Sequence, residues 1–100
     1  MRVKVKICGI TNAADALAAV EAGADALGFM FSNLSPRYLT PDAAAAIIRQ
    51  LPPFVVKVGV FVNAPEDAVK QTLANCGLEA LQFPRTEFPE HCAKFDRCNA

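Results

Sequence analysis

The chain lacks an excess of charge of either sign: ten Lys+Arg stand against ten Asp+Glu in 100 residues. Nucleic acid and anionic membrane surfaces are drawn by a net positive field, so neither is expected as a partner. Long apolar runs are missing as well. The longest uncharged stretch, Ala26 to Pro36, falls far short of the roughly 20 apolar residues of a spanning helix. Nor does the start, Met1-Arg2-Val3-Lys4-Val5-Lys6, look like a secretory leader, because charges occupy the places an apolar h-region needs; a cytoplasmic address is expected. None of the four cysteines, Cys8, Cys76, Cys92 and Cys98, forms a Cys-x-x-Cys pair, and the single His91 stands beside Cys92 rather than at zinc-ligand spacing. They read as thiols, with neither a disulfide framework nor a metal site. No strand leads into a Gly-x-Gly-x-x-Gly phosphate loop, which speaks against a dinucleotide-binding domain.

What is present is a composition able to build one core, 53% hydrophobic against 20% charged, and the length allows a single domain. Val3 to Cys8 alternates Val3, Val5, Ile7 with Lys4, Lys6, Cys8, a strand of period two. Ala13 to Ala22 is an alanine-rich helix with Thr11 or Asn12 as N-cap and Gly23 at its close. Ala26 to Phe31 is an apolar run of strand length, ended by the turn-rich Ser32-Asn33-Leu34-Ser35-Pro36. Thr40-Pro41-Asp42 starts a second helix that reaches about Leu51, where Pro52-Pro53 stops it. Phe54 to Val62 is a third strand buried on both faces. Asn63-Ala64-Pro65-Glu66-Asp67 opens a third helix, closed by Gly77. Leu78 to Phe83 is a fourth strand, and Pro89 to about Arg97 a short fourth helix.

Strand thus alternates with helix four times, which predicts an α/β fold of (βα) repeats on a parallel sheet with right-handed crossovers. An internal echo supports repetition: residues 23–29 (GADALGF) and 77–83 (GLEALQF) share the pattern Gly-x-acid-Ala-Leu-x-Phe. A small doubly wound sheet and one half of an eight-stranded barrel both fit four βα units. A lone half-barrel leaves two parallel edges open.

The choice between them rests on motifs. Lys4-Val5-Lys6-Ile7-Cys8-Gly9-Ile10-Thr11, then residues 23–29, then Ser35-Pro36-Arg37-Tyr38, then Val58-Gly59-Val60-Phe61-Val62-Asn63, closely resemble the phosphoribosylanthranilate isomerases of tryptophan biosynthesis. The resemblance covers about the first eighty residues and implies that residues 1–100 form the N-terminal half of a TIM (βα)₈ barrel, β1α1β2α2β3α3β4α4. It also implies an Amadori rearrangement that needs no cofactor, on an anionic substrate carrying an anthranilate carboxylate and a sugar phosphate. By the same resemblance Cys8 is the general base and Arg37 the clamp on the carboxylate. The general acid, an aspartate, belongs to the family's second half.

The residue types suit those roles. The last residue of a first strand lies at the C-terminal mouth where barrel sites form, and a guanidinium meets a planar carboxylate with two parallel donors. Lys6, on the same strand face as Cys8, is placed to act on it. Gln82 on the fourth strand is a further candidate at the mouth, as substrate ligand or as an internally bonded strand residue. Without the resemblance, Cys8 reads as one more buried strand cysteine and Arg37 as a solvated loop residue. Lys4, Lys6 and Lys57 are expected to point into the barrel.

The chain also departs from the family. Where a Leu-His-Gly-acid-Glu stretch is usual after strand four, it has Phe83-Pro84-Arg85-Thr86-Glu87. One inserted base turns the His-Gly codons CAC GGC into CCA CGG, Pro-Arg. The final residues stand where strand five would enter, so a truncated chain, inactive alone, is expected. It would need a complementing C-terminal half; the alternative is a non-catalytic half-barrel that associates with itself or with a partner chain.

Overall fold

A computed structural model describes residues 4–83 and the backbone of Cys98–Asn99. Strand β1 (Lys6–Cys8) leads to helix α1 (Ala13–Glu21), β2 (Ala26–Met30), α2 (Pro41–Ile48), β3 (Val56–Val60), α3 (Glu66–Cys76) and β4 (Ala80–Gln82). A two-residue β5 (Cys98–Asn99) pairs with β4. All neighbours are parallel, in the order β1-β2-β3-β4-β5. Sequential order without reversal is that of a barrel wall; a doubly wound sheet reverses direction at its switch point. The expected fourth helix and the departure at Pro84-Arg85-Thr86 lie outside the described residues.

Each helix is bounded as its residues dictate. Asn12 caps α1, its side chain accepting the Asp15 N–H at 2.8 Å. The Thr40 hydroxyl accepts the Ala43 N–H at 3.2 Å, and Pro41 opens α2 with its fixed φ. Helix α3 has no side-chain cap, but Glu66 and Asp67 face the positive end of its dipole. Gly77 ends it at φ 69°, a left-handed conformation that costs glycine least.

The two faces of the sheet differ. On the helix side Leu27, Phe29 and Leu81 are fully buried, packed with Ala16, Ala44 and Val69 from the three helices. At the strand ends Phe31 and Phe61 stack with ring centroids 5.2 Å apart, and Phe83 follows at 6.1 Å. Gly59 makes room for this row: a Cβ there would come within 2.6 Å of Leu78 Cδ1 and 2.8 Å of Phe61 Cε2. The opposite, concave face carries Lys6, Cys8, Gly28, Met30, Val58, Val60 and Gln82, as the register requires.

Register corrects one expectation. Lys57 pairs with the fully buried Leu27, so it points toward the helices and not into the barrel. There its ammonium donates to the Pro52 carbonyl at 3.2 Å and pairs with Glu79 at 3.5 Å. Period-two alternation with Val56 and Val58 leaves it no other face.

The repeated pattern in the sequence is a repeat in space. Asp25 N–H donates to Val5 O at 2.8 Å, and Glu79 N–H to Lys57 O at 2.9 Å. In return the Asp25 carboxylate accepts the Val5 N–H at 2.8 Å, and Glu79 accepts the Lys57 N–H at 3.3 Å. Each acidic residue therefore ties the start of its strand to the strand before.

Candidate functional site

The C-terminal ends of the strands gather the residues singled out in the sequence. Cys8 ends β1 and is exposed, which removes its reading as a buried packing cysteine. Its thiol lies over Gly28 of the neighbouring strand: a Cβ at Gly28 would be 2.8 Å from Cys8 Sγ and 3.3 Å from its Cα. Any side chain there would displace the sulfur. Directly after Cys8 the chain turns through Gly9 at φ +84°, and the N–H groups of Gly9 and Ile10 both donate to Gly28 O, at 3.0 and 3.2 Å.

Arg37 is brought to the same place from the β2–α2 loop. Its side chain crosses Gly9, where a Cβ would stand 2.6 Å from Arg37 Cδ and 3.1 Å from Nη1. The loop is pinned close to β2. Ser35 Oγ accepts the Arg37 N–H at 3.1 Å, Tyr38 forms a bridge with Met30, and Leu39 N–H donates to Met30 O at 2.9 Å. The serine of Ser-Pro-Arg-Tyr thus sets the direction in which the arginine leaves the loop.

Lys6 and Gln82 meet across the concave face. The lysine ammonium on β1 donates to the Gln82 side-chain oxygen on β4, two strands beyond its own neighbour. Lys6 does point inward as expected, and its bonded partner there is Gln82. At the opposite end of the strands this face opens into a cleft of about 400 Å³, lined by Lys4, Lys6, Asp25, Phe54 and Val56 among others. The cleft is the floor of the concave face, away from the thiol.

The exposed thiol has Arg37 over the next residue and Lys6 two residues back on the same strand face. A planar carboxylate or another oxyanion placed there meets donors on both sides. Cys76 is the contrast. It is buried between α3 and α2 with its thiol donating to Pro41 O at 3.2 Å, and burial, with a smaller contribution from Asp42, pushes this thiol up from its ordinary value.

The sequence singles out Cys8, Arg37 and Gln82 as candidates but not the glycines that make room beside them. Gly9 and Gly28 lie within the quoted motifs, and only the structure shows why neither tolerates a Cβ. The Lys6–Gln82 pair is 76 residues apart in the chain. Its one sequence signal is the sixth position of the repeated pattern, Gly28 in one copy and Gln82 in the other. No helix among the described residues is long and apolar enough to cross a membrane.

Comparison with known proteins agrees with this geometry. Residues 5–99 match the family model for N-(5'-phosphoribosyl)anthranilate (PRA) isomerase. The N-(5'-phosphoribosyl)anthranilate isomerase of Citrifermentans bemidjiense is 62% identical over 89 residues, 89% of this chain and 43% of that protein. The crystal structure of phosphoribosyl anthranilate isomerase from Thermotoga maritima superposes with a TM-score of 0.89 at 48% identity, over 93% of this chain and 45% of that one. A second isomerase, solved in complex with reduced 1-(o-carboxyphenylamino)-1-deoxyribulose 5-phosphate, gives a TM-score of 0.83 at 43% identity, over 94% of this chain and 50% of that one. The chain spans about half the length of the relatives it matches.

Proposed function

The chain belongs to the N-(5'-phosphoribosyl)anthranilate isomerase family, and from that membership we propose that it is the N-terminal half-barrel of such an isomerase, with Cys8 as general base. The observation that carries the proposal is the exposed thiol at the end of β1, seated over Gly28 and flanked by Arg37 across Gly9. It lies at the strand ends where barrels of this architecture do their chemistry.

In the proposed reaction, protonation of the ribose ring oxygen opens the furanose to an imine at C1. Cys8, as thiolate, removes the proton from C2; the resulting enolamine tautomerises to the 2-ketose bearing the amine at C1. Arg37 holds the anthranilate carboxylate through parallel N–H donors, and Gln82 contacts the substrate from β4. The general acid and the loops that hold the phosphate come from the second half of the barrel. The chain alone is therefore inactive, its partner is a complementing C-terminal half, and its reaction runs in the cytoplasm without a cofactor. One related structure fits this substrate class, since it holds a carboxyphenylamino sugar phosphate.

The experiment is complementation. The purified chain, mixed with a separately expressed C-terminal half of the Citrifermentans bemidjiense isomerase, is expected to turn over phosphoribosylanthranilate, and neither half alone to do so. Cys8→Ala is expected to abolish the restored activity. Turnover that survives Cys8→Ala would exclude Cys8 as the base.

A second reading has its own observation. Among the described residues β1 pairs on one side only, and Val5, Ile7 and Leu17 are exposed, Val5 at 46%. Such an edge suits a half-barrel that associates without catalysis. Sedimentation of the chain alone separates the readings: a monomer leaves the edge for a complementing half, a tight dimer covers it with a second copy.

A further inference from the structure

The bond between Lys6 and Gln82 has a consequence for what the concave face recognises. A lysine ammonium only donates, so the side-chain oxygen of Gln82 must be the atom turned toward it, and the amide is held in one of its two orientations. The Gln82 NH₂ then faces away from the ammonium, and it has no bonded partner among the described residues. Glutamine is neutral, and no carboxylate of the described residues forms a salt bridge with the Lys6 ammonium. The one acidic residue among the described residues that line the cleft, Asp25, is engaged by the Val5 N–H.

Building on the isomerase reading above, we propose that Lys6 is a positioning residue for the Cys8 site. It locks the Gln82 amide with its NH₂ toward the ligand space and holds a positive charge below the thiol, so that the pair selects an anionic, acceptor-rich ligand. The strand fixes the separation: Lys6 and Cys8 are two residues apart on one face, about 7 Å along β1. Arg37 crosses the residue after Cys8, and Lys6 lies two residues before it on the same strand face.

Two measurements on the chain as it stands test this without turnover, so they do not depend on whether the isomerase reading holds. The first compares alkylation of Cys8 by iodoacetate and by iodoacetamide at one pH, followed peptide by peptide by mass spectrometry. The same thiolate attacks both reagents, so the ratio of rates reports the local field and not the degree of ionisation. Lys6→Met is expected to lower the iodoacetate-to-iodoacetamide ratio about two- to threefold, the order of effect of one unit charge within roughly 7–10 Å in water. Lys6→Arg is expected to restore it, and Gln82→Glu to lower it with the tether kept. An unchanged ratio in both Lys6→Met and Gln82→Glu would overturn the electrostatic half of the proposal. The second measurement follows the Gln82 side-chain NH₂ resonances by NMR. In Lys6→Met these are expected to shift and to approach one another as the amide gains freedom; signals that stay in place would overturn the positioning role.

Discussion

The two copies of the Gly-x-acid-Ala-Leu-x-Phe pattern, residues 23–29 and 77–83, share a scaffold and differ in what they offer to chemistry. Gly23 and Gly77 both have positive φ, Leu27 and Leu81 are both fully buried, and Asp25 and Glu79 make equivalent hydrogen bonds to the preceding strand. On the helix side the copies are interchangeable in kind. At the sixth position, on the concave face, they part: Gly28 leaves space that the Cys8 thiol fills, whereas Gln82 reaches out to Lys6. The repeated unit keeps its glycine, leucine and phenylalanine in the same roles and changes the side chain that looks into the barrel, consistent with a barrel that separates stability from function.

The sharpest way to break that comparison is to empty the shared core. Leu27→Ala and Leu81→Ala each remove a side chain with no solvent exposure, and each is expected to cost about 2–5 kcal/mol in urea unfolding. Similar losses confirm equivalent packing. A loss at Leu81 well below that at Leu27 would show that β4, with its shorter ladder, is not packed as β2 is.

The position where the copies differ comes next. Gly28→Ala places a Cβ against Cys8 Sγ and Cα; it is expected to destabilise by about 1–3 kcal/mol as overpacking and to change the rate at which iodoacetamide labels Cys8. Gln82→Ala is expected to cost about 1 kcal/mol, one hydrogen bond, with labelling by the neutral reagent less affected. Equal effects at the two sites would remove the functional distinction between the copies.

That distinction also marks how far the sequence could be read. The Thr40-Pro41-Asp42 helix start and the Gly77 stop are local signals, and the structure has both where their residues place them; β1 is shorter than its alternation suggests, covering Lys6–Cys8 but not the described Lys4 and Val5. Cys8 and Arg37 stand in motifs and so are proposed from the sequence, whereas Gln82 is a candidate only from its place on the fourth strand. The orientation of Lys57 was not legible, because burial on both faces of β3 hides the period-two signal that would tell its two sides apart. The space at Gly28 and the Lys6–Gln82 bond depend on inter-strand register, and the contact at Gly9 depends on where the β2–α2 loop places Arg37; these are non-local quantities that no window of sequence contains.

The residue before each glycine gives a pH-dependent comparison. Ala22 is exposed, while its counterpart Cys76 is buried against Pro41 O with its thiol pushed up by desolvation first and Asp42 second. In the unfolded chain this thiol ionises at its ordinary value, about 8.5, whereas the folded state holds the proton. Above that pH the native state binds more protons than the unfolded state, so stability falls as pH rises until the folded-state value is passed. Cys76→Ala is expected to flatten this alkaline fall above about pH 8.5, at a cost near 1 kcal/mol at neutral pH from the lost packing and hydrogen bond. An alkaline limb of unchanged slope would place its origin in other groups.

The smallest effect is expected at the residues that the two acidic side chains bond on the preceding strands, Val5 and its counterpart Lys57. Lys57 has a side chain only 10% exposed, and its partner Glu79 is 49% exposed at 3.5 Å. Removing one member of a buried pair strands the other charge and costs several kcal/mol, but a half-exposed carboxylate regains water when its partner is lost. Lys57→Val, which makes the second copy resemble the first, leaves the backbone bond from residue 57 to Glu79 in place and exchanges a costly buried ammonium for an apolar side chain. The expected change is within about 1 kcal/mol of zero, whereas Glu79→Gln, which leaves Lys57 buried with the Pro52 carbonyl, is expected to be the more harmful of the two. If Lys57→Val instead costs more than about 3 kcal/mol, the ion pair is a structural requirement of β3 and the two copies are not variations on one scaffold.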